Sequence, residues 1–209
     1  MAEAVPPCRL YLVLPPASPT SEEVLSQALA ATEIACVLRW GGKTNIDEAW
    51  DAQLCALVQW HEAAFLVEGD ADRAKRIGAD GVHIVADVPL YCQARGHLGQ
   101  RGIIGVGCSL SRHDAMVLGE LGADYVAFGP DAAHGAGECM EGAELIAWWS
   151  ETFEVPCVAW NVETPAEAER LAHLGADFVA LAPSIFDAAE AARRIAEIGA
   201  ALQSVRSAA

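Results

Sequence analysis

The side chains able to do chemistry in this 209-residue chain are few, and most follow short apolar runs. Arg39 lies near the end of the run from Ile34 to Trp40, and its planar fork suits two-pronged recognition of a phosphate or carboxylate. The competing use is an ion pair with Glu68 or Asp70 from the neighbouring run. Lys43 stands a little further on. Asp70 and Asp87 are hard oxygen donors of the kind Mg²⁺ takes while keeping much of its water; each also stands where it can cap a following helix. His83 and His134 titrate near neutral pH and so can move protons. His83 sits within an apolar run, facing either a barrel interior or the surrounding helices, and His134 sits in a glycine-rich loop. Trp40 and Trp160 each close a run; they either stack on a planar ring or plug an empty pocket. Ser109 and His113 have the types of a nucleophile and its base, but the spacing puts His113 on the following helix and no orienting acid is evident. Capping of the next helix by Ser109 or Ser111 uses the same atoms.

The charge balance narrows the partners. Thirteen cations face 29 carboxylates, for a formal charge of −16, and Lys43 and Lys75 are the only lysines. Such a field repels nucleic acid and anionic membrane, so neither is an expected partner. The partners expected are a small-molecule substrate or ligand, with a homodimer left open. No apolar run approaches the roughly 20 residues that span a bilayer, and the start MAEAVPPCRLYLVLPP has no signal-peptide pattern. The cysteines Cys8, Cys36, Cys55, Cys92, Cys108, Cys139 and Cys157 are odd in number and form no C-x-x-C pair. Four of them (Cys8, Cys36, Cys108, Cys157) lie in or beside strand-like runs, as small buried hydrophobes do. Reduced thiols and a cytoplasmic location are therefore expected.

Positioning these residues requires a scaffold, and a repeat supplies it. Ile77-Gly-Ala-Asp-Gly-Val-His-Ile84, Leu121-Gly-Ala-Asp-Tyr-Val-Ala-Phe128 and Leu174-Gly-Ala-Asp-Phe-Val-Ala-Leu181 each follow a helical pattern. In each, the glycine can form the left-handed helix end, and Ala-Asp leads into a strand. Further strands are predicted over Leu10–Leu14, Ile34–Trp40, Ala64–Val67, Ile103–Cys108 and Pro156–Trp160. All eight are near-continuously apolar, as strands buried on both faces are. Eight strands alternating with helices, with no Gly-x-Gly-x-x-Gly after the first, predict a single α/β domain, a (β/α)8 TIM barrel over residues 1–209. A flavodoxin-like or Rossmann sheet is the second choice. Residues 1–7 and 203–209 are predicted to be frayed tails. Thr164, Pro165 and Glu167 spell a helix start after the seventh strand.

Barrels of this kind place their sites at the C-terminal ends of the strands. The ends carry Arg39-Trp40, Glu68-Gly69-Asp70, Val85-Ala86-Asp87, Cys108-Ser109, Gly129-Pro130-Asp131, Trp160-Asn161 and Pro183-Ser184. Here a resemblance becomes specific. Leu10-Tyr-Leu-Val, Leu38-Arg39, Ala79-Asp-Gly-Val-His-Ile84, Ile104-Gly-Val, Ala123-Asp-Tyr-Val-Ala-Phe-Gly-Pro130, Val155-Pro-Cys-Val-Ala159, Gly175-Ala-Asp-Phe-Val-Ala-Leu and Ser184-Ile185-Phe186 follow the order of thiamine-phosphate synthases and the related thiazole tautomerases. The resemblance implies a transferase of thiamine biosynthesis that joins a pyrimidine pyrophosphate to a thiazole phosphate with Mg²⁺. In that reading Arg39 and Lys43 hold phosphate, and Asp70 or Asp87 holds the metal. Trp40, Ser109, Trp160, Asn161, Ser184 and Ile185 line the substrate and phosphate sites.

The chain departs from the family pattern at most of these places. The family's Gln-Leu-Arg-x-Lys is Val37-Leu-Arg-Trp-Gly41, and its Asn-Asp after the third strand is Glu68-Gly69. Its second metal Asp falls on Val88, and the Thr and Lys after the sixth strand are absent. Its Gly-Gly after the seventh strand is Asn161-Val162, and its Ser after the eighth is Pro183, which has no N–H. Two alternatives follow: a barrel that binds a small molecule or a partner without catalysis, and a tautomerase-like isomerase using His134.

Overall fold

The computed structural model describes residues 7–15, 19–41, 47–129 and 139–208. Among them, strands and helices alternate strictly: β1 (Arg9–Leu14), α1 (Pro19–Ala31), β2 (Ile34–Arg39), α2 (Glu48–Trp60), β3 (Ala64–Glu68), α3 (Ala71–Ile77), β4 (Gly81–Val85), α4 (Val88–Leu98), β5 (Ile103–Gly107), α5 (Arg112–Glu120), β6 (Tyr125–Phe128), α6 (Cys139–Thr152), β7 (Cys157–Val162), α7 (Pro165–His173), β8 (Phe178–Leu181) and α8 (Ala191–Ala208). Short 3-10 turns follow α4 at Gly99–Arg101 and β8 at Pro183–Asp187. Each strand pairs in parallel with the next, and β8 returns to β1 with Leu10 opposite Val179, so the barrel is closed. That closing pair removes the open-sheet alternative and confirms the TIM barrel.

The Gly-Ala-Asp repeat has one structure in all three places. Gly78, Gly122 and Gly175 take φ of 76°, 95° and 94°, the left-handed conformation that ends a helix. The next N–H turns back into the helix: Ala79 to the carbonyl of Ala74 at 2.9 Å, Ala123 to Leu118 at 3.0 Å, Ala176 to Leu171 at 3.1 Å. The aspartate then locks the incoming strand to the preceding one. Asp80 N–H donates to the Phe65 carbonyl, and Phe65 N–H donates back to Asp80 Oδ2 at 2.8 Å. Asp124 forms the same two-way bond with Ile104, and Asp177 with Cys157, each carboxylate at 2.8 Å from the strand N–H.

Period-two alternation sorts the side chains. Leu10, Leu12 and Leu14 of β1 face the helices, while Tyr11 and Val13 join Cys36, Leu38, Leu66, Tyr125, Ala127, Val158 and Ala180 inside the barrel. Tyr125 fits there only because β5 offers Gly105 opposite it: a Cβ at that position would lie 1.8 Å from the Tyr125 ring. Cys36, Cys55, Cys108 and Cys157 are buried free thiols, and burial pushes Cys108 and Cys157 up to about 12, which keeps them protonated.

Thr164 caps α7 by accepting from Glu167 N–H, with Pro165 in the first turn. Glu167 reaches back to accept the N–H of Glu163. The sequence predicts a frayed end after Leu202, but α8 continues to Ala208.

Removing one clamp tests this joint. Asp177→Ala leaves the Cys157 N–H buried without its partner and is expected to lower unfolding free energy by about 1–3 kcal/mol in a urea titration. A change below about 0.5 kcal/mol would mean that the repeat has another origin.

Candidate functional site

A cavity of about 590 Å³ opens at the C-terminal ends of β2 to β7. Its walls include Trp40, Glu68, His83, Val85, Leu90, Ser109, Asp114 and Trp160. No lysine or arginine is among the described lining residues, and its only two carboxylates there are Glu68 and Asp114. Glu68 accepts the Gly41 N–H at 2.8 Å, which ties the end of β2 to β3.

The floor is aromatic. The Trp160 ring lies against His83, with centroids 4.8 Å apart and planes 12° apart, and its centroid is 6.0 Å from that of Trp40 with the planes tilted by 49°. A bulge in β7 between Ala159 and Val162 sets the aim of Trp160. The residue after it, Asn161, has φ 66°, a left-handed conformation that asparagine tolerates better than most non-glycine residues. His83 faces the barrel interior. Its Nδ1 shares a 2.9 Å hydrogen bond with the Tyr125 hydroxyl, which in turn shares one of 2.9 Å with the Tyr11 hydroxyl. Burial lowers the His83 pKa to about 4, so the ring is neutral at physiological pH. Burial likewise holds both tyrosines well above the usual phenol value, so the chain of three groups carries no charge.

The predicted site residues divide. Trp40, Ser109 and Trp160 line the cavity, and Ser109 stands at φ 48° where β5 ends. Arg39 does not line it. The alternation that turns Trp40 inward turns Arg39 outward, where it is 4% exposed. Its Nε bonds Asp51 at 2.8 Å, and its Nη1 donates to the carbonyls of Pro15 and Trp40. Asp51, fully buried on α2, also pairs with Arg73 of α3. Arg39 is thus buried in an ion pair off the cavity, and its acid is Asp51, not Glu68 or Asp70.

Asp70 and Asp87 are helix caps: Asp70 accepts from Arg73 N–H at 2.8 Å and Asp87 from Leu90 N–H at 2.7 Å. Ser111, not Ser109, caps α5. Ile185 is buried in the core and its N–H is bonded to the Ala182 carbonyl, so it offers nothing to a phosphate. Ser184 is exposed and donates to Glu163 at 3.4 Å, which places a carboxylate beside the loop where an anion would rest. Asn161 is exposed as well and does not line the cavity. Lys43 and His134 lie outside the described residues.

The profile of the thiamine monophosphate synthase family matches residues 10–185. The chain belongs to this family. A thiamine-phosphate synthase of Rhodospirillum centenum is 40% identical over 195 residues, covering 86% of this chain and 90% of that one. One of Erythrobacter litoralis is 38% identical over 201 residues, covering 92% and 94%. The solved thiamine phosphate pyrophosphorylase of Pyrococcus furiosus superposes with a TM-score of 0.76 over 94% of this chain and 96% of that one, at 21% identity, a likeness of fold.

The thiamine monophosphate synthase resemblance implies Mg²⁺, but the described donors around this mouth do not fit a preformed cation site. Among the described residues no three of His, Cys, Asp and Glu come together. Asp70 and Asp87 each commit an oxygen to a helix N-terminus, and neither lines the cavity.

Asp51, Tyr11, Tyr125 and Arg73 are the residues that sequence reasoning passes over. A signal for Asp51 existed: with Leu54, Cys55 and Val58 it makes the buried stripe of α2, an unusual place for a carboxylate. Replacing it by alanine removes the carboxylate that two buried guanidinium groups share and is expected to cost about 3–5 kcal/mol of stability, read by denaturant titration. A loss under about 1 kcal/mol would show that the triad is not held in solution.

His83 gives a pH dependence. Its folded pKa lies below the unfolded value, so the unfolded chain binds more protons between about pH 6.5 and 4. Stability should therefore fall as the pH drops through that window, by about 3 kcal/mol from this residue alone. The slope should flatten in His83→Phe; equal slopes would place the acid sensitivity elsewhere.

Proposed function

We propose that this thiamine-biosynthesis barrel binds a planar, weakly charged thiamine precursor at its mouth. We further propose that it runs the condensation of a pyrimidine pyrophosphate with a thiazole phosphate far more slowly than a synthase with a full set of cations. Membership in the family supports the pathway. One observation carries the rest: the cavity is walled by Trp40, Trp160 and a neutral His83, and its charged lining residues among those described are both acidic.

Aromatic faces hold flat rings, whereas a pyrophosphate needs cations. Arg39, the cation nearest the mouth in sequence, spends its fork on Asp51 and two carbonyls. Glu163 beside Ser184 adds repulsion at the anion loop. Each lost charge-stabilising contact in a closed site costs about 2.7–4 kcal/mol, or two to three decades of rate. Mg²⁺ binding to the free oxygens of Asp70 and Asp87 would offset part of that charge; the cap geometry argues against it.

The test uses purified protein with both family substrates and Mg²⁺, beside the Rhodospirillum centenum relative. Release of pyrophosphate is expected to be at least about 100-fold slower than for the relative. Unphosphorylated pyrimidine or thiazole should raise the melting temperature, and pyrophosphate should not. Turnover equal to that of the relative, with stabilisation by pyrophosphate, would overturn the reading and restore an ordinary synthase.

A further inference from the structure

We propose that His83 Nε2 is the atom by which the mouth selects its ligand, and that the ligand is a neutral nitrogen heterocycle. This rests on the ring-binding mouth argued above and adds the polar contact that such a site needs for specificity.

The geometry divides the two imidazole nitrogens. Nδ1 is held within the barrel by Tyr125, and Tyr125 by Tyr11. Nε2 has no hydrogen bond among the described residues, yet it is not a sealed buried atom: His83 lines the cavity, and Nε2 is open to it. Gly107 keeps that approach clear. A Cβ there would lie 3.0 Å from Nε2 and 3.7 Å or more from anything else near it, so the missing side chain leaves a gap beside this nitrogen. The backbone of Gly107 also lines the cavity.

The hydroxyl pair behind His83 makes Nε2 adaptable. When the Tyr125 hydroxyl donates to Nδ1, the neutral ring carries its proton on Nε2, which donates into the cavity. When the Tyr125 oxygen accepts from Nδ1–H, Nε2 presents a lone pair. The exchange moves one proton between the two ring nitrogens and reverses the hydroxyls, with no net charge. One atom can thus meet a ring nitrogen or an amino group. A ligand bonded in the imidazole plane runs within about 12° of the Trp160 indole plane, so hydrogen bonding and stacking select the same flat orientation. A carbocycle of equal size would stack but leave Nε2 unmatched.

Two probes separate these contributions at pH 7.5, where both are uncharged: 4-aminopyrimidine, and toluene, which has no polar atom to meet Nε2. In protein labelled with ¹⁵N at imidazole, saturating 4-aminopyrimidine is expected to move the His83 nitrogens toward a single tautomer in long-range ¹H–¹⁵N spectra. The Kd of 4-aminopyrimidine should be about tenfold or more below that of toluene, and His83→Phe should bring the two affinities together. Equal affinity of the wild-type protein for both probes, or ¹⁵N shifts unchanged at saturation, would overturn the role of His83 while leaving the ring-binding mouth intact. Failure of the wild-type protein to bind either probe would overturn both. The spectra use only wild-type protein, so the proposal stands testable even if His83→Phe does not fold.

Discussion

The barrel depends on a carboxylate placed two residues past the glycine that ends a helix. A closed parallel sheet has no hairpins to set its register, so each strand must be delivered to its neighbour by a helix that ends at a fixed height. The three Gly-Ala-Asp joints do this with short, local bonds. Glycine stops the helix, alanine ties the stop to the last turn, and aspartate exchanges two hydrogen bonds with one residue of the preceding strand. Asp80 and Asp177 go further, since their carbonyls accept from Ile103 and Arg9 of the next strand. Each of these two residues therefore stitches three consecutive strands, and the Asp177 joint closes the circle at β8 and β1.

With register fixed, the parity of a position decides its chemistry. Trp40 and Arg39 are adjacent, and one enters the mouth while the other enters the layer between barrel and helices. There Arg39 meets Asp51 and Arg73 and bonds the carbonyls of Pro15 and Trp40, so it braces the ends of β1 and β2 on which the Trp40 wall stands. A buried ion triad adds little net stability over a well-packed apolar one. What it supplies here is position: two helices and two strand ends fixed to one carboxylate beneath the site.

The fold was legible because its signals are local and repeated. The three joints, the apolar strands and the Thr164-Pro165 helix start each act over a few residues, and all agree. The site was legible only where parity and type coincided, as at Trp40 and Trp160. Arg39 looked like a ligand clamp because its partner, Asp51, lies on a different element and its side-chain direction follows from register, which the linear sequence does not display. Tyr11 and Tyr125 looked like ordinary strand aromatics; their hydrogen bond spans 114 residues of chain. Asp70 and Asp87 had the residue type of metal ligands and the position of caps, and the cap is satisfied by neighbours three residues away.

These placements bear on what the mouth can hold. A site for a polyanion in a chain of formal charge −16 must concentrate cations against the field of its own surface. This one instead buries its nearest arginine under a carboxylate, places Glu68 and Asp114 on the wall, and keeps His83 neutral. Those features point the same way, because each lowers the affinity for phosphate while none opposes an uncharged ring. Stacking on Trp160 is nearly indifferent to ring chemistry, so on its own it would admit any flat molecule of the right size. An unmatched nitrogen on the cavity wall changes that: it penalises a ring that cannot answer it more than it rewards one that can. In the proposed site, selectivity then rests on His83 Nε2, on a ring whose other nitrogen is bonded to the Tyr125 and Tyr11 hydroxyl pair inside the barrel.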